Sequence, residues 1–266
     1  MIRYSDIRKL NYKDRRQRNF NFDYDIYDWK SNPYTCLKSR VYIELSSIFA
    51  FLSQFTPITA NQISLIYCFS GFMAGIFLIS NIDILMIGGL LIFFLKSSLD
   101  WTDGLVARIK KETSSVGHLL DAWGSHIGGI SLITSLGIYC YNNTNDIIFL
   151  FLVIMYLFIQ TIDFKFYSYH QAFYEIVNKK MSVKTKITNN QKIKENILVI
   201  FLKNFMDNRS RTVDLVCLLI FLEILFSFER ISIIVFILYF IKAILIFFGI
   251  IYVYYFKDGL KNQLND

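Results

Sequence analysis

Three aspartates, Asp100, Asp103 and Asp121, are the residues of this chain best suited to do chemistry. They stand in otherwise apolar helical stretches, where a charge is costly unless it faces a polar cavity, a partner or an ion. Asp100 and Asp103 are three positions apart and share a helix face. At a rise of about 1.5 Å per residue, Asp121 lies roughly 9 Å inside a helix that begins near Ser115. Antiparallel packing through a short loop brings the three carboxylates together, and three converging anions repel unless they are neutralised. Hard oxygen ligands suit Mg²⁺ or Mn²⁺, ions that bridge phosphates. The chemistry to expect is therefore metal-assisted phosphoryl-group transfer. Neighbouring residues suit it. Gly104 and Ala107 are small enough for close approach to the backbone, and Arg108 offers a planar fork for phosphate oxygens. Gly117, Gly124 and Gly128 fall on the Asp121 side of their helix and permit tight helix packing.

The elements that must position these groups are membrane helices. Of 266 residues, 54% are hydrophobic and only 18% charged, and two prolines leave little irregular chain. Spanning helices need roughly 20 mostly apolar residues. Six such stretches are predicted, at 61–80, 84–109, 116–140, 147–169, 212–228 and 231–256. Before them, residues 36–55 carry Leu37, Val41, Leu45, Ile48 and Leu52 at helical spacing among Lys38, Arg40 and Glu44. That single stripe predicts an amphipathic helix on the membrane surface, or else a helix packed on the N-terminal segment. The expected fold is all-α and polytopic. A polar cytoplasmic segment (1–35) precedes a membrane domain (36–256, its spans within 61–256) and a cytoplasmic tail (257–266).

Charge sets the orientation. All but Lys96, Arg230 and Lys242 of the 28 Lys and Arg residues fall before the first span, at the inner ends of spans two and four or in the loops that follow them, or in the tail. By the positive-inside rule both termini are cytoplasmic, in a cell (inner) membrane. The net charge of +7 is thus a topology signal, and no nucleic-acid partner is expected. Cys36, Cys68, Cys140 and Cys217 are scattered singly, without zinc spacing or a disulfide framework. Residues 1–34 have no apolar core, so no cleavable signal peptide is expected.

The string Asp100-x₂-Asp103-Gly104-x₂-Ala107-Arg108-x₈-Gly117-x₃-Asp121-x₃-Ser125 resembles the signature of the CDP-alcohol phosphotransferase family, D-x₂-D-G-x₂-A-R-x₈-G-x₃-D-x₃-D. Only the last position departs. The resemblance extends to six spans, a preceding surface helix and Pro57-x₃-Asn61-Gln62-Ile63-Ser64 at the first span. It implies transfer of a substituted phosphate from a CDP-linked donor to an acceptor alcohol, with CMP leaving. It also implies a two-metal site for Mg²⁺ or Mn²⁺, a lipid environment and a homodimer. Asp100, Asp103 and Asp121 would be metal ligands, and Gly104, Ala107 and Arg108, with Gly117, would hold the CDP moiety; Asn61 would face the cytidine or simply cap its helix.

Ser125 stands where the family carries a fourth aspartate, a metal ligand and base. A serine hydroxyl is not a useful base near neutral pH. Another group serves instead, or metal lowers the acceptor's pKa without a protein base, or catalysis is lost. At 100° per residue His118 lies about 60° from Asp121 and about 4.5 Å nearer the cytoplasm, whereas His126 lies about 140° away. His118 is the better-placed base. Lys96, one turn before Asp100, and Arg209 and Arg211, before the fifth span, are candidates for acceptor binding, with ion pairing, snorkelling or topology anchoring as the ordinary readings. A transporter using the acids as an ion path fits less well, because they gather at the cytoplasmic end and no paired broken helices appear.

Overall fold

The computed structural model describes residues 2–20, 29, 33–112, 114–162, 210–226 and 230–256, and all regular structure among them is helical. In order these are α1 (Tyr4–Phe20), α2 (Pro33–Leu52), a 3₁₀ turn (Ser53–Phe55), α3 (Ala60–Ile79), α4 (Asp83–Leu95), α5 (Ser97–Lys110) and α6 (Ser115–Thr144). They continue with α7 (Ile148–Ile162), α8 (Ser210–Phe226) and α9 (Ile231–Phe256). Among the described residues three helical stretches are long and apolar enough to cross a membrane: Ala60–Ile79, the α4–α5 stretch Asp83–Lys110, and Ile231–Gly249. The expected fourth span runs past the last described residue of α7. The described α8 has 17 residues, short of a full crossing.

The chain divides into two compact units, Met1–Leu132 and Ile133–Asp266. The first holds the aspartates. Its α3 is inverted relative to a soluble helix: Ser64, Gly71, Ala74 and Gly75 are buried while Phe69, Phe72, Met73 and Ile76 are exposed. Small residues inside and large apolar ones outside are what lipid as solvent selects. The crossing of α3 and α6 depends on it. A Cβ added at Gly71 would lie 3.0 Å from the Gly128 Cα, and one at Gly124 would lie 2.5 Å from the Tyr67 ring.

Residues 4–20, part of the segment 1–35 expected only to be polar, form α1, which packs on α2. Ile7 and Asn11 are fully buried there, and the Asn11 amide donates to the hydroxyls of Ser46 (2.9 Å) and Ser47 (3.1 Å). Glu44 accepts from Arg8 at 2.6 and 2.8 Å and from the Tyr12 hydroxyl at 2.8 Å. The other side of α2 packs on α5. Ile7, Ala50, Ala60, Ile63, Leu105 and Val106 form one buried cluster joining α1, α2, α3 and α5. The predicted stripe of α2 is left outside, with Leu37, Val41, Ile48 and Leu52 all exposed.

The expected second span is interrupted at Lys96, between α4 and α5. The interruption leaves the Phe94 carbonyl to the Tyr42 hydroxyl at 2.6 Å and the Leu95 carbonyl to the Ser98 hydroxyl at 2.7 Å. At the far end α5 stops at Lys111, whose φ of 58° turns the chain into the left-handed region. The Glu112 amide closes the turn by donating to the Ala107 carbonyl at 2.9 Å. Four residues later α6 runs back alongside.

Candidate active site

The α5–α6 hairpin brings the predicted acids together. The carboxyl of Asp100 lies within hydrogen-bonding reach of that of Asp121, and both interact electrostatically with Asp103. Asp103, 8% exposed, is turned toward α3: it accepts from the Ser64 hydroxyl at 2.5 Å, and from the Gly104 amide. Two carboxylates held face to face repel one another unless a counter-charge lies close by. Among the described residues no group of three or more His, Cys, Asp or Glu side chains is assembled as a metal-holding set. The donor chemistry nevertheless suits a hard divalent ion: acidic oxygens from two helices, two of them already face to face.

Arg108, two turns beyond Asp100, extends its Nη1 toward Gly104, where an added Cβ would lie 3.3 Å away. Its Nη2 is 2.8 Å from Asp14 Oδ2 of α1. Next along the helix, Arg15 lies over the Trp101 ring, 3.9 Å from its centre, and acts electrostatically on Asp100 and Asp103. Ala107 packs instead against the core cluster. Asn61 and Gly117 do come together through Ser114, which caps α6. The Ser114 hydroxyl donates to Asn61 Oδ1 at 3.3 Å and receives the Gly117 amide at 3.1 Å.

Lys96 is buried, and its ammonium sits 4.2 Å from the centre of the Tyr67 ring, near Asp100. The missing side chains of Gly71 and Gly128 make its room: a Cβ at Gly128 would collide with the Lys96 Cε at 2.6 Å. The Tyr67 hydroxyl hydrogen-bonds Ser125 and feels Asp100 and Asp121. The position of the missing fourth aspartate is thus occupied by a hydroxyl pair beside a buried ammonium. Of the other predicted residues, Arg211 belongs to the first turn of α8, while Arg209 and the side chains of Arg211 and His118 lie outside the described residues. Ser64, Tyr67, Asp14 and Arg15 are additions of the structure. The first two sit on the buried α3 stripe that continues to Gly71 and Gly75, a spacing visible in the sequence; Asp14 and Arg15 carry no such signal.

A family model for CDP-alcohol phosphatidyltransferase matches residues 57–255. The chain belongs to the CDP-alcohol phosphatidyltransferase family. No curated protein matches it. This is a family of transferases of phospholipid biosynthesis, and with three helices fit to cross a bilayer the chain is a membrane protein. The match begins just before α3 and covers every aspartate of the site, but leaves α1 and α2 outside.

Proposed function

We propose that this CDP-alcohol phosphatidyltransferase homologue transfers a substituted phosphate from a CDP-linked donor, CDP-diacylglycerol or a CDP-polyol, to an acceptor alcohol and releases CMP. The observation that carries the reading is the pairing of Asp100 with Asp121 beside Asp103, inside the family match. Mg²⁺ or Mn²⁺ held by these acids would neutralise the diphosphate and stabilise the leaving phosphate. Arg108 and the backbone at Gly104 take the diphosphate oxygens, and Asn61 with Gly117 receives the cytidine. The acceptor oxygen attacks the donor phosphorus, the bond to the CMP oxygen breaks, and the acceptor proton passes to His118. Lys96 and the Tyr67–Ser125 pair line the side where the acceptor enters, with Arg209 and Arg211 as further acceptor-binding groups. The whole works as a homodimer of six-span protomers at the cytoplasmic leaflet of the cell membrane, both termini inside. The exposed stripe of α2 supports a helix resting on lipid.

A second reading is a homologue that binds donor and metal without turnover, and the observation in its favour is Ser125 bonded to Tyr67, neither a base near neutral pH. One experiment separates the two. Purified protein is incubated with Mg²⁺ or Mn²⁺, CDP-diacylglycerol or CDP-polyols and a mixture of alcohols, and CMP is detected. Release that needs metal, donor and acceptor together supports transfer. Metal-dependent CDP binding without CMP release from any donor supports the second reading.

A further inference from the structure

We infer that the Asp14–Arg15 pair of α1 is a built-in occupant of this site, which the donor's diphosphate and its metal must displace. The inference rests on the functional reading above, because it takes Arg108 as the diphosphate group and the aspartates as the metal group. The pair is matched to them charge for charge. Asp14 holds the guanidinium of Arg108 at 2.8 Å, where a phosphate oxygen would bind. Arg15 offers its positive charge to Asp100 and Asp103, where a cation would bind, and lies over the Trp101 ring, 3.9 Å from its centre. Both groups are largely enclosed, the side chains of Arg108 and Asp14 being 27% and 22% exposed.

The placement is set by the anchoring of α1. Ile7 and Asn11, both fully buried on α2, share one face of α1 with Asp14 and Arg15, following the i, i+4, i+7, i+8 spacing of a helical stripe. The stripe that fastens the helix therefore continues directly into the pair. A carboxylate and a phosphate compete for the same donors of Arg108, and a guanidinium repels a divalent cation from the same acids. The polarity makes α1 a competitor for the site and not a clamp on a bound ligand. The helix lies wholly outside the family match, so the family pattern has no need of it.

The test uses the full-length protein and CDP with Mn²⁺. Asp14→Asn, isosteric and leaving the Ile7 and Asn11 anchors unchanged, should tighten CDP binding about tenfold, the effect of one charge-assisted contact. Arg15→Gln should lower the Mn²⁺ concentration for half-saturation, read from the free-ion paramagnetic resonance signal. In the wild type, saturating CDP and Mn²⁺ should speed amide hydrogen exchange across residues 11–20. Unchanged or weaker CDP binding in Asp14→Asn, or slower exchange on ligand addition, overturns the competitor. Arg108→Ala separates this failure from that of the site. If Arg108→Ala abolishes CDP binding while Asp14→Asn gives no gain, the site stands and the competitor falls. If CDP binding ignores Arg108 in every background, both fall.

Discussion

Buried acids occur in both units, and they are satisfied in opposite ways. In the second unit Glu223, 5% exposed, accepts from the backbone amide of Ser232 at 2.5 Å and from its hydroxyl at 2.7 Å. Tyr139 is a further hydrogen-bonding partner. Ser232 is the second residue of α9, so its amide is one of the donors that a helix leaves unpaired in its first turn. Glu223 is a cap supplied by α8, helped by the positive end of the α9 dipole. In the first unit Asp100 meets another carboxyl and the neighbouring charge of Asp103. Fixed neutral donors make an acid structural. Acids set against acids, beside the cationic side chains of Lys96 and Arg15, are where the proposed function puts its metal ions.

Two substitutions test that contrast most severely. Asp121→Asn removes one of the facing carboxyls, and turnover should fall about a hundredfold or more, with metal-dependent CDP binding lost. Retained binding, by titration with CDP and Mn²⁺, would count against the site as drawn. The parallel change in the other unit should leave CDP binding alone and cost stability. Glu223→Ala orphans the Ser232 amide and should lower unfolding stability by about 2 kcal/mol, seen as a drop in thermal midpoint in detergent. A Glu223→Ala protein with native stability but altered CDP affinity would reverse the assignment of the two acids.

The three aspartates and most of the helices were legible in the sequence for the same reason: charges in apolar runs are rare, and their spacing is regular. Asp100, Asp103 and Asp121 were legible one by one, and the hairpin that joins them followed from the short loop. Lys96 was legible as an oddity, but not its berth, because that depends on two glycines, Gly71 and Gly128, from different helices. The orientation of Asp103 toward Ser64 was hidden for a similar reason: a side chain's choice among partners is a tertiary fact. The N-terminal helix was the largest omission. Among its described side chains only Ile7 and Asn11 are fully buried, amid many charges, too thin a pattern to separate a docked helix from a solvated segment.

Asp103 lies between the two kinds of acid, with fixed donors in the Ser64 hydroxyl and the Gly104 amide and an electrostatic neighbour in Asp121. Ser64→Ala removes the side-chain donor that orients a proposed metal ligand. Apparent Mn²⁺ affinity should fall about tenfold, as for other outer partners of metal ligands, with little loss of thermal stability. A stability loss as large as that of Glu223→Ala, with Mn²⁺ affinity untouched, would move Asp103 into the structural class.

The mildest test concerns an acid at the surface, Glu44, whose donors all serve to dock α1. Hydrogen bonding from Arg8 holds its carboxyl below the usual range against the opposing effect of burial, and Tyr12 and Tyr4 act in the same direction as Arg8. A carboxyl depressed by docking contributes stability that is fully present above the undocked value, about 4.3 for glutamate, and that fades as pH falls through the docked value. Docking of α1 should therefore be constant between pH 8 and pH 5 and loosen only in more acid solution. The change should be a few-fold, because Arg8 and Glu44 are partly solvated and salt weakens the pair. A spin label at Lys9→Cys, on the exposed side of α1, reports the change as rising mobility, and Glu44→Gln should remove the acid step. If mobility rose already between pH 8 and pH 5, α1 would be held by some group other than Glu44, and the anchoring of the Asp14–Arg15 pair would have to be sought elsewhere.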